Sequence, residues 1–148
     1  MNLDREKLRI TDNVIRQIEQ TIGSYPPECG GIVGAQEDGT VSEFYFDYLG
    51  KGTSNCYSPD VESINKVLAE DWMPRGIYMV GIIHSHDAQL QVPSCGDVYY
   101  GIQILQALDT VDSFYLPIAT RQHNQLQING YIICKDNGEC YSIPIFIV

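Results

Sequence analysis

The stretch from Gly76 to Ile83, Gly-Ile-Tyr-Met-Val-Gly-Ile-Ile, constrains the fold more than any other part of the chain. It carries no charge and is rich in β-branched residues, which predicts a strand over Ile77–Ile83. An apolar run without polar alternation is a strand buried on both faces, so the sheet that holds it needs layers packed over it. The run is far short of the ~20 residues that a membrane-spanning helix requires.

The flanks supply those layers. Ser58-Pro59 opens a helix, with Ser suited to the N-cap and Pro to the first turn, and Val61, Ile64, Leu68 and Trp72 form its inner face. Pro74-Arg75-Gly76 ends it. After the run, a polar loop leads to a helix from Cys95 to Leu108, with Val98, Ile102, Leu105 and Leu108 facing inward. Near the N-terminus, Thr11 to Ile22 places Val14, Ile15, Ile18 and Ile22 on one helical face. Thr11 serves as cap, Ile10 as a staple to Ile15 and Gly23 as the stop. Tyr25 to Gly31 is turn-rich and leads to a strand at Ile32–Ala35. A second strand spans Val41–Leu49, and Lys51–Tyr57 reads as a loop. Ser113–Ala119 is another strand. Leu126–Cys134 and Glu139–Val148 form a pair around Asn137-Gly138, a hairpin signal, and Pro144 puts the last strand at an edge. About three helices and six strands in mixed order predict an α/β fold, a mixed sheet with helices packed on it. The chain of 148 residues has no repeat or linker, so residues 1–148 read as a single domain.

Composition excludes several classes. Apolar residues make up 44% and charged residues 19%, a globular balance. The N-terminus, Met-Asn-Leu-Asp-Arg-Glu-Lys, has no apolar core of a signal peptide, and a soluble, cytoplasmic protein is expected. A net charge of −10 without any Lys/Arg cluster disfavours nucleic acid. It suits a basic protein partner, or simply solubility. The five cysteines are odd in number and lack a Cys-x-x-Cys pair, so free thiols are expected and not a disulfide framework or four-cysteine zinc site. Cys29 and Cys95, beside the motifs described next, read as small buried fillers. His123 falls in an exposed turn, and Trp72 in the core.

His84 and His86 stand two apart at the end of the apolar run, and residues two apart on a strand point to one side. Both imidazoles can reach one metal. Asp97 follows in the first turn of the next helix. Two histidines and a carboxylate make three ligands, which leaves the fourth zinc position open in the catalytic manner. Each piece also has a plain reading: a His-x-His pair is common, and Ser94-x-x-Asp97 fits a helix capping box. The capping and ligand readings are compatible, since a capping residue is well fixed.

Taken together, His84-Ser85-His86, seven residues, and Ser94-Cys95-Gly96-Asp97 resemble the H-x-H-x7-S-x2-D signature of the JAMM (MPN+, Mov34/PAD-1, JAB) zinc metallopeptidases. Pro26-Pro27-Glu28-Cys29-Gly30-Gly31 resembles the family's upstream glutamate segment, and the likeness runs from about Thr11 to Cys134. The resemblance implies a curved, cytidine-deaminase-like mixed sheet flanked by helices. It implies zinc (Zn2+) held by His84, His86 and Asp97, Glu28 as general base beside the zinc-bound water, and Ser94 as donor to the oxyanion. The implied substrates are C-terminal tails or conjugates of ubiquitin-like or sulfur-carrier proteins, as for the stand-alone prokaryotic members. Asp87 departs from the pattern, since many members have proline there. Relatives without the ligands act as scaffolds, so the alternative is a non-catalytic MPN-type binding module. A zinc deaminase is excluded, because neither His-x-Glu nor Pro-Cys-x-x-Cys is present.

Overall fold

The computed structural model describes residues 1–22, 28–53, 56–87 and 91–148. The expected turn at Tyr25 to Pro27 and the Gly23 stop lie outside these residues. In chain order the elements are β1 (Leu8–Ile10), α1 (Asp12–Gln20), β2 (Gly30–Ala35), β3 (Val41–Phe46), β4 (Lys51–Thr53), β5 (Cys56–Ser58) and α2 (Val61–Val67). A π-helical turn at Leu68–Trp72 and a 3-10 turn at Met73–Arg75 follow. Then come β6 (Tyr78–Ser85), α3 (Cys95–Ala107), β7 (Ser113–Tyr115), β8 (Ile118–Gln122), β9 (Gln125–Cys134), β10 (Cys140–Ile143) and β11 (Ile145–Ile147).

The apolar run is the middle of the molecule. β6 pairs antiparallel with β2 on one side and parallel with β7 and β8 on the other, and Met79 to His84 are all buried. The sheet order is β10-β9-β7-β6-β2-β3-β1-β11, with β8 beside β6 and β9. This is a mixed sheet with three α-helices among the described residues around it, the expected α/β class. α1 packs on β3, and α3 packs on β7 and β9, where Gly101 leaves room for the Ile133 side chain. Trp72, fully buried, lies over Gly34 of β2.

The two ends of the strand order, β10 and β11, are joined by Pro144 alone, so the sheet curls until its edges meet. The expected strand Glu139–Val148 is therefore two. β10 continues the hairpin with β9, while β11 runs parallel to β1 at the opposite edge, Leu8 opposite Ile145. Pro144 cannot donate to a ladder and marks the switch. In the same way the expected strand Ser113–Ala119 breaks at Leu116-Pro117 into β7 and β8, both between β6 and β9. Strand β1 alternates as Leu8-Arg9-Ile10, but three residues are too few to mark a strand.

Two local differences bear on the site. Lys51–Tyr57 is not a loop: β4 and β5 pair as a small separate hairpin. Ser58 is not the cap of α2 either. It closes that hairpin opposite Lys51, and the Asp60 carboxylate accepts from Ser63 N–H instead. α1 and α3 start where expected. Thr11 Oγ1 accepts from Val14 N–H, and Ser94 Oγ accepts from Asp97 N–H. α1 ends at Gln20, earlier than expected, because Thr21 Oγ1 turns back to donate to Gln17 O. No helix among the described residues is long and apolar enough to cross a membrane.

Candidate functional site

The C-terminal end of β6 delivers the two histidines. His84 lies opposite Gly30 of β2 and Ile118 of β8, and His86 N–H donates to Ala119 O just beyond the strand. Strand alternation turns both imidazoles to one side, with ring centroids 4.6 Å apart. Ser85, between them, points away and holds the preceding strand in register. Its N–H donates to Cys29 O at 2.8 Å, and its Oγ accepts from Cys29 N–H at 3.0 Å. That pins the residue next to Glu28, so the Glu28 carboxylate enters the same space as the histidines.

Asp97 reaches the spot from the first turn of α3. The expected capping box is complete: Ser94 N–H donates to Asp97 Oδ2 at 2.8 Å, and Asp97 N–H donates to Ser94 Oγ at 3.1 Å. The same Oδ2 lies 3.2 Å from His84 Nε2 and 3.2 Å from His86 Nε2. The two Nε2 atoms are 2.9 Å apart. Cap and cluster member are thus one carboxylate in two roles. Glu28 Oε1 stands 3.2 Å from His86 Nε2, and the donor atoms of Glu28, His84 and His86 lie within 4.8 Å of one another. Glu28 Oε2 is buried with no hydrogen-bond partner among the described residues.

These residues fit a divalent cation. Tetrahedral coordination with bonds of about 2.0–2.2 Å sets ligand atoms roughly 3.3–3.6 Å apart, and the His84, His86 and Asp97 atoms need open by only a few tenths of an ångström. Two carboxylates facing two imidazoles in a buried place also want a positive charge between them. Asp97 touches both rings and Glu28 one, which suits Asp97 as the third ligand and Glu28 as a neighbour.

The two carboxylates differ electrostatically. Burial pushes the Glu28 pKa up, and the nearby histidines only partly offset it. Burial acts on Asp97 in the same direction. There the hydrogen bonds from His84, His86 and Ser94 N–H win and hold it well below the usual carboxylate range. One carboxylate is therefore held in its ionised form, and the other is shifted toward its protonated form.

A cleft of about 530 Å³ opens over the cluster. Glu28, His84, His86, Ser94 and Asp97 all line it, so the five expected site residues are brought together. Apolar walls come from Tyr57, Ile82, Tyr100 and Leu116. Cys29 is half-buried, and burial pushes its thiol up, so it lacks the character of a reactive thiolate. Cys95 is exposed, against the expectation of a buried filler, because the first turn of α3 faces solvent. Asp87 is exposed as well. His123 takes a left-handed backbone conformation in an exposed turn, and Trp72 is in the core.

Tyr57 and Asp47 were not singled out by the sequence. Tyr57 OH donates to Asp47 Oδ2 at 2.6 Å, and its ring stacks beside His84 at 6.1 Å between centroids. Burial, then the Asp47 contact, hold the phenol well above its ordinary pKa, so it stays a donor. No periodicity announces this pair, since it depends on the β4–β5 hairpin folding back over β2.

No family model matches the chain, and no curated protein matches it. Solved structures do. A protein of Desulfitobacterium hafniense, known from a solution structure, superposes with a TM-score of 0.68 at 20% identity, covering 95% of this chain and 92% of that one. A JAB1/MPN domain protein from Archaeoglobus fulgidus superposes with a TM-score of 0.51 at 14% identity, covering 97% of this chain and all 100% of that one. The chain has an MPN-like α/β fold. At these identities the likeness concerns the fold alone, and the chemistry rests on the cluster itself.

Proposed function

We propose that the chain is a zinc-dependent hydrolase of amide or isopeptide bonds, a single catalytic domain acting on C-terminal tails or conjugates of ubiquitin-like or sulfur-carrier proteins. The observation that carries this reading is the meeting of His84 Nε2, His86 Nε2 and Asp97 Oδ2 within 3.2 Å of one another, in a cleft that also holds the buried Glu28 carboxylate.

In this reading His84, His86 and Asp97 hold the ion. A bound zinc ion supplies Lewis acidity and brings the pKa of a water down to about 7. Glu28 orients the attacking water through Oε2, which has no partner among the described residues, and takes its proton. Its raised pKa then suits delivery of that proton to the leaving amine. Ser94 Oγ accepts from Asp97 N–H, which frees its own proton to point into the cleft and bond the carbonyl oxygen as negative charge develops. Tyr57, Ile82, Tyr100 and Leu116 exclude water from the reacting bond.

The test is a pair of measurements on purified protein. Metal analysis is expected to find about one zinc per chain, lost in a His84→Ala/His86→Ala double variant. Glu28→Gln is expected to keep the zinc and lose hydrolysis of a ubiquitin-like protein carrying a C-terminal extension by about 10²-fold or more. Full activity in Glu28→Gln would overturn the mechanism. Tight capture of an uncleaved tail by the zinc-loaded wild type would favour the non-catalytic binding module.

A further inference from the structure

A histidine that binds a metal through one ring nitrogen is normally oriented by a hydrogen bond from the other. His84 lacks this device: its Nδ1 is buried and has no hydrogen-bond partner among the described residues, while its Nε2 faces the cluster. Something else must fix the plane of the ring.

Tyr57 is built to do so. Its ring lies 22° from parallel to His84. One ring edge rests on Gly30, where an added Cβ would come within 2.7 Å of Tyr57 Cε2 and 2.9 Å of His84 Cβ. The other edge rests on Gly50, where a Cβ would come within 2.9 Å of Tyr57 Cε1 and collide with the Asp47 carboxylate. The two glycines are thus the space in which the ring sits. The hydroxyl is tied to Asp47, which is 1% exposed. Asp47 is itself fixed, because Oδ2 also accepts from Asp60 N–H at 2.8 Å and its own N–H donates to Gly30 O at 2.9 Å. Asp47 Oδ1 has no hydrogen-bond partner among the described residues. A carboxylate buried this deeply with so few donors costs stability, and its contact with the tyrosine next to His84 gives it a use.

We propose that Tyr57, anchored by Asp47, is the positioning residue for His84, setting the imidazole plane in place of the hydrogen bond that Nδ1 lacks. The inference rests on the reading of His84 as a metal ligand. It predicts a property of the metal-free protein as well.

The experiment therefore has two arms. In the first, zinc affinity is measured by competition with a chromophoric chelator for wild type, Tyr57→Leu, Tyr57→Phe and a core control, Ile133→Val. Tyr57→Leu is expected to bind about 10–100-fold more weakly, as for loss of a ligand-orienting partner, with Tyr57→Phe, which keeps the ring and loses its anchor, falling between Tyr57→Leu and wild type. The control lowers the melting temperature and leaves affinity unchanged. In the second arm, the His84 Cε1–Hε1 NMR signal is followed without metal. Broadening or a shift in Tyr57→Phe, absent in the control, is expected from a ring released from its anchor. Wild-type affinity in Tyr57→Leu, or a loss matched by the control, would overturn the inference. If Tyr57→Leu does not fold, an unchanged His84 signal in Tyr57→Phe overturns it equally. If the wild type binds no zinc, the ligand reading fails, and the NMR arm alone decides the positioning role.

Discussion

Ser94 carries two separable roles, and Ser94→Gly set against Ser94→Ala distinguishes them. As N-cap of α3, Ser94 Oγ accepts from Asp97 N–H at 3.1 Å. Removing that acceptor with Ala costs about 1 kcal/mol, whereas Gly at an N-cap costs only a few tenths. For a chain of this size 1 kcal/mol corresponds to roughly 2–4 °C in melting temperature, so the Ala variant melts measurably lower and the Gly variant stays near wild type. The proposed catalytic role is lost equally in both, because neither side chain has a hydroxyl. Loss of one oxyanion donor costs on the order of 10²–10³-fold in kcat. The other half of the capping box survives, since the residue-94 backbone N–H still donates to Asp97 Oδ2, and zinc content is expected to hold. The assays are thermal melting of the metal-free protein, metal analysis and steady-state cleavage of a ubiquitin-like protein with a C-terminal extension. A Ser94→Gly enzyme within about threefold of the wild-type kcat would reduce Ser94 to a helix cap. Equal melting losses in Gly and Ala would refute the capping argument.

Glu28→Gln also makes a prediction about stability. The Glu28 pKa is raised on folding, so at neutral pH the folded state bears the cost of an ionised carboxylate held away from water. Below the pKa of the unfolded chain both states are protonated and the cost vanishes. Without metal, Glu28→Gln is expected to have a higher urea midpoint than wild type at pH 7, the gap closing as pH falls through the carboxylate range; a constant gap would contradict this. Gly34→Ala tests the packing of Trp72, because the new Cβ would come within 2.5 Å of Trp72 Cζ3 and 2.7 Å of Ile77 Cγ2. Overpacking of about 1–3 kcal/mol is expected in denaturant titration, with zinc binding unchanged.

The legible parts of the fold were those with strong local signals. The apolar run became the central strand because nothing but burial on both faces suits it, and the Ser94 and Thr11 caps fell where hydroxyls precede apolar-periodic segments. What escaped depends on distant partners. β1 is too short for periodicity and is a strand because β3 and β11 flank it. The strand Glu139–Val148 divides because the curled sheet offers two edges at once, a property of the whole sheet. Ser58 satisfied a local rule for capping, yet lost the position to Asp60 once the β4–β5 pairing claimed it.

The site divides along the same line. His84 and His86 share a side by alternation, and Asp97 is fixed by its own helix, so short-range geometry carries all three. Their meeting needs β6 and α3 to converge, and the spacing alone could not distinguish a cap from a ligand. In the structure Asp97 Oδ2 accepts from Ser94 N–H and faces both imidazoles. Glu28 is tied to the histidines through Ser85, the unremarked middle of the His-x-His pair. Its Oγ accepts from Cys29 N–H, and its N–H donates to Cys29 O. The spacer therefore couples two motifs 56 residues apart. Tyr57 and Asp47 sit one step further out, on a hairpin whose pairing was invisible locally. Residues that touch the proposed metal are written in short motifs, whereas those that hold them still are distributed over the sheet. A site of this kind is legible from sequence only as far as its innermost layer.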